Sequence, residues 1–185
     1  MHVHSKPSRN DIVRCWIGES VLGATLVCVG ERGIRAVRFG DSIQQLQAEA
    51  ALDFPEAGHV DAPDAAVAAV IAAIADGSPN GAGPARDLDP IGLDPQGTPF
   101  QRLVWAELGR TSRGETITYG DLARRIGRPR AVRAVAQACA ANAIGVLIPC
   151  HRVLPRQGGI GGYRWGGWRK RRLLELESAG QMPLL

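Results

Sequence analysis

The sequence predicts a mixed α/β protein in two parts. The N-terminal part has a small antiparallel sheet, and the C-terminal part is mostly helical and built around a helix-turn-helix. Three observations carry this. Short β-branched and aliphatic runs at 12–17, 24–29 and 34–39 are separated by Gly/Glu/Ser turns at 18–20 and by Gly30-Glu31-Arg32-Gly33, which is the pattern of a meander. Beyond residue 97 the apolar residues recur at helical spacing behind good caps. Charge divides at the same place: residues 1–95 carry 7 Lys/Arg against 13 Asp/Glu, and residues 96–185 carry 15 against 5. The parts are therefore set at 1–95 and 96–185, an acidic scaffold and a basic half suited to a polyanion.

After the three strands, Ser42 caps a helix to about Leu52, and Asp64 caps an Ala-rich helix ending near Asp76-Gly77. Residues 77–84, rich in Gly and Pro, read as a surface loop. Thr98 caps the next helix with Pro99 in its first position, burying Phe100, Leu103, Val104 and Leu108 and stopping near Gly109. A turn at Arg113-Gly114 leads to a short helix over 118–127. A Gly127-Arg128-Pro129 turn then gives way to a helix over 130–139 that carries Arg130 and Arg133. Helix, tight Gly turn, helix is the helix-turn-helix pattern. Residues 156–162 read as a Gly-rich hairpin or wing, and 168–177 as a basic amphipathic helix docking through Leu173, Leu174 and Leu176.

Composition excludes several classes. No apolar run reaches membrane-spanning length, and the polar start lacks a signal-peptide core, so the cytoplasm is expected. The four cysteines show no CxxC spacing, and a reducing compartment argues against disulfides, with Cys28 read as strand core. His2, His4, Cys15, Cys28 and His59 lack metal-ligand spacing, so no metal and no cofactor is expected. Of the 22 basic residues 20 are Arg, whose planar fork suits phosphate.

The chemistry concentrates in Ile148-Pro149-Cys150-His151-Arg152. A thiolate is the reactive form of cysteine, an adjacent imidazole is a base, and Pro149 stiffens the turn that presents them. A buried Cys beside an unrelated His is the alternative at this level.

The surrounding motifs decide between the two. Pro149-Cys150-His151-Arg152-Val153 is preceded by Ala131-Val132-Arg133-Ala134-Val135 and Ala141-Asn142, and followed by Gly162-Tyr163-Arg164-Trp165-Gly166. Together they resemble the O6-alkylguanine-DNA alkyltransferases, and among these the catalytic half of the bacterial Ada protein and its stand-alone relatives. The likeness is weak over 12–92 and strong from Gly97 to Glu177. It implies a ribonuclease H-like N-terminal domain and a winged helix-turn-helix-like C-terminal domain. It further implies single-use repair of double-stranded DNA by a monomer: the alkyl group of O6-methylguanine, with O4-methylthymine as a second candidate, passes irreversibly to Cys150.

By the same resemblance His151 is the base, acting through a bridging water. Glu177 orients it, with Glu175 as the competing carboxylate, and Tyr119 assists the leaving guanine. Arg133 fills the space of the flipped nucleotide, Ala134 lets the helix approach the backbone, and Arg130 and Arg128 hold phosphates. Asn142 ties the recognition helix to the active-site turn, and Val153 and Tyr163 line the guanine pocket. Trp165 and Trp168 are expected to pack the last helix. Ada's zinc-bearing domain has no counterpart in these residues, so no self-methylating transcriptional switch is expected. The competing readings are a non-catalytic lesion sensor, which the presence of Cys150 disfavours, a winged-helix regulator with a redox-sensing Cys150, and a cysteine hydrolase.

Overall fold

β1 (Arg14–Ser20), β2 (Gly23–Gly30) and β3 (Gly33–Gly40) form the antiparallel meander that the three apolar runs predict. They appear in a computed structural model that describes residues 12–76 and 92–178. The loop expected at 77–84 lies outside the described residues. A two-residue strand β4 (Gly58–His59) adds parallel to β1, giving the sheet order β3-β2-β1-β4. The first turn differs from expectation. Residues 18–20 stay in β1, paired with Thr25, Ala24 and Gly23, and the chain reverses at Val21-Leu22. Two local causes act here: Gly18 leaves room for the Trp16 ring, which lies where a Cβ would stand, and Gly23 supplies a positive φ of 86°.

Both faces of this sheet are covered, which is why β2 and β3 read as continuous rather than alternating apolar runs. One face packs Cys15, Leu26, Cys28 and Ala36 against Leu46 of α1 (Ile43–Asp53), a helix capped by Ser42 as expected. The other face packs Trp16, Val27, Val37 and Phe39 against α2 (Ala65–Asp76) and the C-terminal half in one continuous core. Cys15 and Cys28 are directly opposite across β1 and β2, with Cα atoms 4.2 Å apart, and form a disulfide. This corrects the expectation of four free thiols: strand register brings together two cysteines whose sequence spacing signals nothing.

α3 (Pro99–Leu108) starts with a full capping box between Thr98 and Gln101 and with Pro99 in its first turn. Its buried face is Val104, Trp105 and Leu108. The expected Leu103 is instead 44% exposed, because Trp105 takes the core position and donates Nε1–H to Ala138 O at 2.8 Å. After β5 (Ile117–Thr118) come α4 (Tyr119–Arg125), capped by Thr118 and Asp121, and α5 (Val132–Ala140), joined through Gly127 at φ 70°. α3, α4 and α5 pack on one another. β6 (Val153–Leu154) pairs parallel with β5, and of the expected hairpin or wing, the Gly-rich stretch after it forms no hairpin but a turn-containing loop. α6 (Gly167–Ser178) closes the described chain, with Leu173 fully buried and Leu174 and Leu176 half-buried. No described helix is long and apolar enough to cross a membrane.

The two halves meet at the outer edge of β3. Val37 donates its N–H to Ala143 O (2.9 Å) and accepts from Gly145 N–H (2.8 Å), so the segment before the Pro149 turn extends the sheet as a parallel bridge. Residues 92–94 cover the rest of that edge through Ile34, which removes a row of unpaired backbone groups. Gly145 is required where it stands, since a Cβ would press on the rings of Phe39 and Trp165. Arg169 of α6 clamps the join, donating to Leu22 O, Gly40 O and Trp165 O and pairing with Asp41.

Candidate active site

Cys150 opens a single 3₁₀ turn (Cys150–Arg152) directly after Pro149 and is 5% exposed. The approach to it is strained: Val146, β-branched, sits at φ 65°. Asn142 follows the C-cap of α5 and is itself buried. Its Nδ2 donates to Ile148 O (2.9 Å), Ile144 O (3.3 Å) and Cys150 Sγ (3.2 Å), while its Oδ1 accepts from Ile144 N–H. One side chain thus links the end of α5, the segment strapped to β3 and the sulfur. Burial pushes the Cys150 thiol above its ordinary pKa, opposed by the Asn142 hydrogen bond and by Lys170.

His151 is fully buried, and its Nε2 lies 2.8 Å from Glu177 Oε1. Glu177 comes from the end of α6 and also binds the buried Arg152, whose Nε and Nη2 donate to it at 2.8 to 3.1 Å. Burial alone would raise this carboxyl, but the hydrogen bonds from His151 and Arg152 hold it at about 2. Glu177 is therefore ionised and can only accept, so Nε2 carries the hydrogen and the neutral imidazole has its lone pair on Nδ1. That Nδ1 is buried with no hydrogen-bond partner among the described residues. Burial also lowers the His151 pKa from 6.5, partly offset by Glu177, which keeps the ring neutral at pH 7. Glu175, the rival carboxylate, is exposed and lies near Arg172 at 3.8 Å.

Tyr119 begins α4 half-buried, with its hydroxyl pKa raised by burial and by the nearby Cys139 and Cys150 sulfurs. Val153 is buried directly after the 3₁₀ turn. Tyr163 stacks edge-on with Trp165 (5.2 Å), and its buried hydroxyl has no partner among the described residues. Trp165 packs in the core as expected, whereas Trp168 is 51% exposed with the Arg169 guanidinium over its ring. Arg128, Arg130 and Arg133 are exposed and make no ion pair among the described residues, while Ala134 is half-buried beside Arg133. α5 buries Val135, Ala138 and Cys139 and turns Arg133 outward.

Sequence reasoning missed two buried cations and one loop of this site. Arg152, fully buried, joins Glu177 to Thr111 through Nη1, which donates to both Thr111 O and Oγ1. The loop after α3 wraps the same carboxylate, with Gly114 N–H donating to Glu177 Oε2 and Arg113 to Leu176 O. Lys170, also fully buried, donates to Val153 O. Only the presence of Arg152 inside the Cys-His motif was a usable signal for any of them.

Fold and site together define a mixed α/β protein with a buried Cys–His–Glu array and an arginine-bearing helix pair, α4 and α5. The family model described as "6-O-methylguanine DNA methyltransferase, DNA binding domain" matches residues 99–179. The chain is similar to the Mycobacterium tuberculosis protein OGT in a crystal structure with DNA, at 30% identity and TM-score 0.72, covering 90% of this chain and 93% of that one. It belongs to the O6-methylguanine-DNA methyltransferase family. Among curated relatives, the Salmonella typhimurium regulatory protein Ada is 45% identical over 177 residues, covering 94% of this chain and 48% of that protein. The Escherichia coli bifunctional transcriptional activator/DNA repair enzyme Ada is 41% identical, covering 93% and 47%. The chain thus spans about half the length of these curated relatives.

Proposed function

We propose that this protein repairs double-stranded DNA by direct reversal, taking the methyl group of O6-methylguanine onto Cys150 in one irreversible step. The observation that carries the reading is the free lone pair of His151 Nδ1, fixed by ionised Glu177, one residue from a buried thiol. In the reaction the S–H proton passes through a bridging water to Nδ1, and the charged imidazole is stabilised by Glu177. An S–C bond forms as the C–O6 bond breaks, and the bonding pair leaves on the guanine. Tyr119, kept protonated by its raised pKa, hydrogen-bonds the base as this charge develops. The proton lost by the thiol is the one guanine finally gains. A thioether offers no easy leaving group, so each molecule acts once.

The target atom lies inside the duplex, so the nucleotide must leave the stack. Arg133 fills the gap, Ala134 permits close approach, Arg128 and Arg130 hold phosphates, and Val153 and Tyr163 line the pocket. We read α4 and α5 as a winged helix-turn-helix entering the minor groove, where weak sequence readout suits repair in any context. Residues 1–95 are a ribonuclease H-like scaffold for a monomeric, cytoplasmic protein, with O4-methylthymine a further candidate substrate.

Intact-mass measurement after incubation with an O6-methylguanine duplex tests this. The expected result is one added methyl group per protein, mapped to Cys150 and absent in Cys150→Ala. Repeated turnover, or methylation elsewhere, would sink it. Arg133→Ala is expected to slow transfer from duplex about 100-fold, the order of a few kcal/mol of unstacking. Single-stranded substrate should lose far less. Equal losses on both substrates would remove Arg133 from the flipping role.

A further inference from the structure

Lys170 stands out among the buried cations. Arg152 is paired with Glu177 and Arg169 with Asp41. Lys170 is fully buried and pairs with no carboxylate among the described residues. Its Nζ is held by two carbonyls, Val153 O at 2.7 Å and Gly162 O at 3.3 Å. An ammonium taken out of water without a counter-ion is strongly unfavourable, so its retention calls for an anion that forms when the protein works.

The groups facing Lys170 supply one. Burial lowers the Lys170 pKa, opposed by two sulfurs that favour its charge, Cys150 from the 3₁₀ turn and Cys139 from α5, while Lys170 itself disfavours a proton on His151. Burial holds the Cys139 thiol at about 12, so it stays neutral. The charges of Lys170 and exposed Arg164 favour an anionic Cys150, Tyr119 and Tyr163 interact with it through hydroxyls that are raised and neutral, and the Asn142 amide donates to its sulfur. The sulfur of Cys150 is therefore the one group in this set that becomes anionic in the proposed reaction, when its proton leaves for His151.

We propose that Lys170 is the built-in counter-ion of the Cys150 thiolate, a positioning residue that pins the Val153 and Gly162 walls of the pocket and favours the anionic sulfur between them. This rests on Cys150 being the nucleophile. Lys170 and Glu177 both belong to α6, so one helix supplies the carboxylate that fixes His151 and a cation held on Val153 O, directly after the Cys150–Arg152 turn. The two act on opposite halves of one proton transfer.

The chain contains only two lysines, Lys6 and Lys170, so ¹³Cε-lysine labelling gives two signals whose pH titrations can be followed separately. Between wild type and Cys150→Ser, the Lys170 midpoint is expected to fall by about one pH unit on loss of the ionisable sulfur, with Lys6 unmoved. Coincident Lys170 midpoints would overturn the proposal. A second measurement follows carboxamidomethylation of Cys150 against pH by peptide mapping. Lys170→Met is expected to shift the profile upward and slow the reaction at pH 7.5 about tenfold, and Lys170→Arg to restore most of it. Superimposed Met and wild-type profiles, or equal shifts in Met and Arg, count against it. Modification of Cys139 as well would expose an unfolded variant, and the lysine titration, which needs no Lys170 substitution, then decides. Neither measurement uses DNA, so failed methyl transfer beside a positive coupling would sink the repair reading alone.

Discussion

Expressed without residues 1–95, the segment 96–185 is expected to be insoluble or unfolded and to transfer no methyl group. The join between the halves is an interior. Trp165 packs edge-on to Phe39 at 5.6 Å, and Gly145 threads between those two rings. Truncation also removes the Val37 backbone bonds to Ala143 and Gly145 and the acceptors of Arg169 at Leu22, Gly40 and Asp41. Each large apolar side chain uncovered costs roughly 1.5–3 kcal/mol, and a stranded buried guanidinium costs more. A native margin of about 5–15 kcal/mol does not survive several such losses. The effect reaches the chemistry through Asn142: once β3 no longer holds 143–145, nothing outside the segment fixes the turn in which Asn142 meets Cys150. Circular dichroism and amide dispersion of the fragment check this. A soluble, folded and active 96–185 would show that the N-terminal half is no scaffold.

Much of this was legible because the signals are local. Ser42, Asp64, Thr98 and Thr118 each accept a hydrogen bond from a first-turn amide, as helix starts require, and the β-branched runs became β2 and β3. Adjacent Cys150 and His151 were visible as a pair. What escaped depends on contacts between distant residues. Trp105 displaced Leu103 because α5 offers a carbonyl to its indole. Cys15 and Cys28 met only through strand register. The basic amphipathic helix gave its leucines the docking face, yet helical rotation also carries Arg169 and Lys170 inside and leaves Arg171 and Arg172 outside. Glu177 had Glu175 as its competitor, and the α6 rotation that buries the first exposes the second.

Glu177→Gln is expected to be the most damaging single change outside Cys150. Arg152 and His151 are buried with Glu177 as their shared acceptor, and breaking a buried pair from one side costs about 3–5 kcal/mol. Urea unfolding at pH 7 measures that loss. Losing the charge that stabilises imidazolium is expected to slow transfer about 10²–10³-fold, as for other preorganised electrostatic groups. The pH dependence separates the two effects. Folding holds the Glu177 carboxyl at about 2 against an ordinary 4.5. The wild type therefore keeps this stabilisation above pH 4.5 and loses it as pH falls towards 2, a limb that Glu177→Gln should lack. His151 is lowered below 6.5 by burial, so wild-type transfer stays level through neutrality and falls only at more acid pH, where Nδ1 takes a proton. Glu177 raises His151 against that burial. Its loss should thus move the acid limb of the rate profile to still lower pH while the plateau drops. A variant with normal stability and an unmoved limb would mean that His151 takes neither its orientation nor its basicity from this carboxylate.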